Sequence, residues 1–201
     1  MAGAGQSGAS WERCLAVLRG DGAVACPTET LIGLLAIASS ADAVAGVLAI
    51  KLRPDGQPLA VLVGSMQGAL EVASGLSPAA TALAERFWPG PLTLLLPARA
   101  GLPAALVRDG KVGVRVPGPS PALELVRAVG QALTATSANV SGEPAPADTA
   151  LLADRVRQMV GAVVEGRAAG GLASTIVDVC VNPPQLVRPG AVPWPAACAR
   201  S

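Results

Sequence analysis

Several short polar clusters carry the residue types that could do chemistry: Thr28–Thr30, Lys51–Arg53, Arg115, Ser137–Asn139, Ser174 and Arg188. Singly, each has an ordinary reading. Arg115 and Arg188 suit surface ion pairs, Ser137 and Asn139 a helix cap or turn, Lys51 the C-terminal cation of a helix, and Thr28-Glu29-Thr30 a strand-to-loop turn. Together they supply cations, hydroxyls and an amide with hardly a carboxylate among them, a set suited to binding anions and phosphate above all. The chain has no histidine, which excludes Ser-His-Asp and Cys-His catalysis and removes the commonest metal ligand. Cys14, Cys26, Cys180 and Cys198 show no C-x-x-C spacing, which argues against zinc and thioredoxin-like chemistry and for reduced thiols.

The elements that must position these groups are legible in the apolar pattern. Trp11, Cys14, Leu15 and Leu18 share a helical face that ends at Gly20-Asp21-Gly22. Ala23–Cys26 reads as a buried strand cut by Pro27, with the polar Thr28–Thr30 turn at its end, where open α/β sheets often place a site. A second strand over Leu34–Ala38 is followed by a helix from Ala41 to Lys51 capped by Ser40, and Leu52–Pro58 is a loop. Leu59–Val63, Leu92–Leu96, Val112–Val116 and Ala132–Thr136 read as strands. Helices should start at Ser77-Pro78 and Ser120-Pro121, because proline is favoured at the first helical position. Asp148 should cap a helix through Val160, with short strands at Ala162–Val164, Thr175–Val179 and Gln185–Val187.

Alternating strands and helices place the chain in the α/β class, as a single domain over residues 10–190 with a flexible segment 1–9 and a short tail 191–201. With 201 residues, 51% of them hydrophobic and only 14% charged, a sizeable core is available. The net charge of +1 draws the whole molecule neither to nucleic acid nor to membrane, so any basic site is local. Gly3-Ala-Gly5-Gln-Ser-Gly8 matches G-x-G-x-x-G formally, but no strand precedes it and it carries no dinucleotide site. The apolar window Leu31–Ile50 is broken by Ser39, Ser40 and Asp42 and reads as strand, cap and buried helix rather than a membrane span. A soluble, cytoplasmic protein is expected.

The ordered set Pro27-Thr28-Glu29-Thr30, Lys51-x-Arg53-Pro54, Pro58-Leu59, Trp88-Pro89-Gly90-Pro91-Leu92-Thr93, Arg115-Val116-Pro117, Ser137-Ala138-Asn139-x-Ser141-Gly142, Ser174-Thr175-Ile176-Val177-Asp178 and Arg188-Pro189-Gly190 resembles the YrdC/TsaC family, the L-threonylcarbamoyladenylate synthases. The likeness runs from about Gly20 to Gly190. It implies a twisted open mixed sheet flanked by helices around a positively charged cavity. It also implies a nucleotidyl-transfer reaction in which L-threonine, bicarbonate and ATP, with Mg2+ on the phosphates, give threonylcarbamoyl-AMP and pyrophosphate. In that family the product goes to a partner transferase that modifies the tRNA adenosine next to the anticodon.

Carried over residue by residue, the resemblance gives Lys51, Arg53, Ser137, Asn139 and Arg188 to the ATP phosphates and nucleotide, with contributions from Gln57, Lys111 and the backbone near Ala145. Thr28, Thr30, Arg115, Ser174 and the backbone at Ala135 would hold threonine, Arg115 taking its carboxylate. Lys51, Arg53, Ser137 and Asn139 would carry the catalysis, and no protein metal ligands are expected. Lys51 and Arg53 are expected on an exposed loop or helix end. The chain departs from the family at Ile32, where an aromatic is usual, at Gln57 in place of Lys or Asn, at Leu62 where some members have histidine, and at Gly118-Pro119 where many have Asp-His. Three alternatives stand beside this reading: an RNA-binding module, for tRNA or double-stranded RNA, whose cavity holds a backbone; a nucleotide-binding paralogue without the reaction; and a carbamoyl-transfer module of a larger maturation enzyme, against which the lack of zinc-type cysteine clusters argues.

Overall fold

The computed structural model describes residues 8–52 and 57–194. The predicted segment 1–9 is described only from Gly8, and Arg53 and the tail beyond Trp194 lie outside the described residues. In chain order the elements are α1 (Gly8–Arg19), β1 (Val24–Pro27), β2 (Ile32–Leu35), α2 (Ala41–Lys51), β3 (Ala60–Leu62), α3 (Pro78–Phe87), β4 (Leu92–Pro97), β5 (Val107–Arg108), β6 (Lys111–Arg115), α4 (Pro121–Val129), β7 (Leu133–Ser137), α5 (Asp154–Met159), β8 (Ala162–Val163), β9 (Thr175–Asp178) and β10 (Gln185–Arg188).

Local chemistry sets the helix starts. Ser40, Ser77 and Ser120 are extended N-caps whose side chains accept from the backbone N–H three residues on, and proline follows in α3 and α4. The helix expected from Asp148 to Val160 is instead two pieces. Asp148 caps a 3₁₀ turn over Thr149–Leu151, Leu152 and Ala153 are extended, and α5 begins only at Asp154. Arg157 bonds the carbonyl of Thr149 and ion-pairs with Glu165, so side-chain contacts hold the turn where helix propensity alone would have continued it.

The strands form one mixed sheet in the order β10-β9-β4-β6-β3-β7-β2-β1-β8, with β5 paired to β6. The pairs β1–β8, β3–β6 and β4–β9 are parallel, and the other neighbours are antiparallel. β1 and β2 make a hairpin closed by the Thr28–Leu31 turn, so Pro27 ends a strand, pairing with Ile32, rather than cutting it short. β2 starts two residues before the expected strand, because the hairpin partner recruits Ile32 and Gly33. Where β2 gives way, the Ala36 N–H bonds the Thr134 hydroxyl, which itself donates to Leu34 O, so a fully buried threonine keeps both strands satisfied.

The core is aliphatic, with Leu34, Leu62, Leu92, Leu94, Leu96 and Leu133 among its fully buried side chains. Helix α1 packs on α4 and the β1–β8 edge, α3 on β4, and α2 on α5. Among the described residues no helix is long and apolar enough to cross a membrane. Leu94 pairs with Val114 on one side and Val177 on the other and is fully buried. Replacing it with aspartate should cost about 4 kcal/mol or more by burying an unpaired charge. The expected result is loss of cooperative thermal unfolding; a soluble Leu94→Asp variant with an unchanged melting temperature would contradict this core.

Candidate active site

The cavity occupies one face of the sheet, not the ends of parallel strands. A mixed sheet gives its strands no common C-terminal edge, whereas period-two alternation puts every second residue of each strand on the same face. Ala60 and Leu62 of β3, Ala135 and Ser137 of β7, Gly33 of β2 and Thr93 of β4 therefore line a single cavity of about 300 Å³. The small side chains at 33, 60 and 135 leave that volume open. Thr28, Thr30, Arg115, Ala145, Ser174 and Arg188 complete its polar part.

The Thr28–Leu31 turn is built by one hydroxyl. Thr28 Oγ1 accepts from the N–H groups of Thr30 and Leu31 at 3.0 and 3.2 Å, and lies 2.8 Å from Leu31 O and 2.9 Å from Thr30 Oγ1. Thr28 is thus absorbed in shaping the turn, while it presents Thr30 to the cavity. On the opposite wall, Ser174 Oγ and Thr93 Oγ1 are 2.9 Å apart. Arg188 donates to Ser174 O at 2.7 Å and lies 3.3 Å from its hydroxyl. Gly190 makes this wall possible, since a Cβ there would run into the Ala173 carbonyl and the backbone of Ser174. The motif Arg188-Pro189-Gly190 is therefore a backbone-on-backbone seam that ends in a guanidinium.

Arg115, the last residue of β6, is buried in the cavity wall with its Nη1 3.2 Å from Glu29 Oε1. Burial lowers its pKa, the Glu29 charge works the other way, and nearby Arg188 adds to the lowering. No hydrogen bond from its side chain is formed among the described residues, so its N–H groups are unengaged beside an open cavity.

Lys51 corrects the sequence-based expectation. It is 2% exposed, and its Nζ donates to Ser137 O at 2.6 Å, Asn139 O at 2.8 Å and Asn139 Oδ1 at 3.3 Å. Its own carbonyl accepts from Ser141 N–H at 2.8 Å. The ammonium is drawn inward because the C-terminus of α2 and the carbonyls after β7 converge on it. Ser137 Oγ donates to Asn139 Oδ1, and Asn139 Nδ2 donates to the carbonyls of Val140 and Glu143.

The structure brings Thr28, Thr30, Arg115, Ala135, Ser137, Ala145, Ser174 and Arg188 to one cavity. Lys51 and Asn139 stand behind Ser137, and Gln57 is exposed outside the lining. Lys111 is also displaced from the expected cluster. It opens β6 and pairs with Asp178 at 2.6 Å, because the two cations stand at opposite ends of a five-residue strand. Thr93 and Glu29 received no role from sequence; alternation along β4 would have placed Thr93 on the face opposite the buried Leu92, Leu94 and Leu96, but nothing local marks Glu29 as the partner of Arg115.

A family model covering the Sua5, YciO and YrdC proteins, described as "Telomere recombination", matches residues 16–190. A threonylcarbamoyl-AMP synthase of Bacillus subtilis is 38% identical over 181 residues, which covers 88% of this chain and 52% of that protein. A putative threonylcarbamoyl-AMP synthase of Mycobacterium leprae is 36% identical over 180 residues, covering 89% of this chain and 81% of that protein. The crystal structure of Pyrococcus abyssi Sua5 complexed with L-threonine superposes with a TM-score of 0.86 at 34% identity, covering 92% of this chain and 55% of that one. The chain spans about half the length of the Bacillus protein and of a Pyrococcus abyssi relative.

Replacing Lys51 with methionine keeps the stem and removes the donors to the loop after β7. The expected cost is about 2 kcal/mol of stability. Amide exchange at Ser141 should accelerate even without nucleotide; unchanged exchange would show that the ammonium does not hold the loop.

Proposed function

We propose a function from one premise: the chain belongs to the Sua5/YciO/YrdC family. The reading is a threonylcarbamoyl-AMP synthase that joins L-threonine, bicarbonate and ATP and releases pyrophosphate. The observation that carries it is Arg115, a buried guanidinium with unengaged donors in the wall of a cavity whose other polar side chains are hydroxyls and the guanidinium of Arg188. A carboxylate matches that fork. Thr30, Ser174 and Thr93 supply hydroxyls around it, so a small amino acid bearing its own hydroxyl suits the space.

The chemistry needs no histidine. Carbon dioxide from bicarbonate, after loss of water, adds to the threonine nitrogen, which gives up a proton to leave an N-carboxylate. An oxygen of that anion attacks the α-phosphorus of ATP, and the bond to the bridging oxygen breaks to release pyrophosphate. An anion must approach a polyanion, so positioning and cations carry the rate. Arg188 and Ser137 lie where they could meet the triphosphate, and Lys51 supports Ser137 from behind. No carboxylate lines the cavity among the described residues, which fits magnesium that arrives on the ATP and keeps its waters rather than a protein cage. Transfer of the product to tRNA by a partner transferase follows from the same reading.

Purified protein with ATP, magnesium and bicarbonate should release pyrophosphate only when L-threonine is added. Replacing Arg115 with glutamine should raise the KM for threonine about a hundredfold, since a charge-assisted carboxylate contact is lost. Threonine-independent release would sink the substrate assignment. Salt-sensitive RNA retention without turnover would replace it with the RNA-binding reading. ATP binding without release would favour the paralogue, and Ile32→Tyr would then be the reversion to try.

A further inference from the structure

Glu29 lies between two cavity-lining threonines yet does not itself line the cavity. Its side chain is 14% exposed, both its carboxylate oxygens are buried, and neither accepts a hydrogen bond. The Arg115 Nη1 at 3.2 Å is close enough for an ion pair but is not aligned as a hydrogen bond. A carboxylate buried this way is costly unless its charge is answered, and among the described residues it ion-pairs with Arg115 alone.

Three features hold it there. The Thr28 hydroxyl network fixes the turn that carries it. Arg115 faces one side of the carboxylate. Gly118, three residues after Arg115, closes against the stem, and a Cβ at 118 would stand 3.0 Å from Glu29 Cγ and 3.2 Å from its Cβ.

The division of labour follows from chemistry. An ion pair answers charge without demanding direction, so Glu29 can neutralise Arg115 while leaving the guanidinium's directed N–H groups to a ligand. Without Glu29, a buried cation would face a second cation, Arg188, across the same cavity, and it would turn toward water. We infer that Glu29 is the positioning residue that holds the Arg115 guanidinium in the cavity wall, and so sets the preference for an amino acid with a free carboxylate over the same amine without one. This rests on the reading that Arg115 receives the substrate carboxylate.

The test compares L-threonine with L-threoninol, which keeps the amine and side-chain hydroxyl but lacks the carboxylate. In Glu29→Gln, the KM for threonine should rise and the preference for threonine over threoninol should fall, each about tenfold, with kcat and the KM for ATP nearly unchanged. Gly118→Ala presses on Glu29 without changing any charge, so it should move the preference the same way by a smaller factor and decides the matter if Glu29→Gln does not fold. Equal loss of both ligands, or an unchanged preference in both variants, overturns the inference. Arg115→Gln separates the two levels. If it too leaves the preference unchanged, the reading of Arg115 fails; if it abolishes the preference while Glu29→Gln does not, only the role of Glu29 fails.

Discussion

The ammonium of Lys51, buried at the C-terminus of α2, ties that helix to the loop after β7 through the carbonyls of Ser137 and Asn139. The Lys51 carbonyl returns the contact by accepting from Ser141. One wall of the cavity depends on this tie, because Ser137 stands at the cavity and Asn139 behind it. Removing the charge would leave several carbonyls facing one another without a donor, which is why the position calls for a cation rather than an apolar residue.

Arg115 is buried on different terms. Lys51 directs its charge onto backbone carbonyls, whereas Arg115 is answered by Glu29 without an aligned hydrogen bond. The first arrangement is rigid and structural; the second keeps donors in hand. Two basic residues with the same formal charge thus take opposite parts, and only the one with unengaged N–H groups faces the cavity.

Backbone approach sets the remaining wall. Gly190 lets the segment after β10 lie on Ala173–Ser174, and the seam is closed by Ala191 N–H to Ala173 O at 2.9 Å and by Thr175 Oγ1 to Val192 O at 2.7 Å. Arg188 and Ser174 meet because of that seam. In the same way, the missing side chain at Gly118 makes room for the stem of Glu29. The family match over residues 16–190 spans all the cavity-lining residues and both of these glycines.

Sequence by itself determined the class, most elements and the residue types of the site. Serine caps, proline at first helical turns and alternating aliphatic runs act within a few residues, so α2, α3, α4, β4 and β6 could be read directly. The ordered motifs name Thr30, Arg115, Ser137, Ser174 and Arg188 together, and the cavity holds all of them. Tertiary structure alone decided that the cavity lies across the sheet face, since strand order is a long-range property that local pattern does not encode. It also turned Lys51 inward, sent Lys111 to Asp178, and broke the helix after Asp148. Whether a charge faces solvent, a ligand or a partner depends on which distant carbonyl or carboxylate folding brings within about 3 Å of it, and residue type cannot state that.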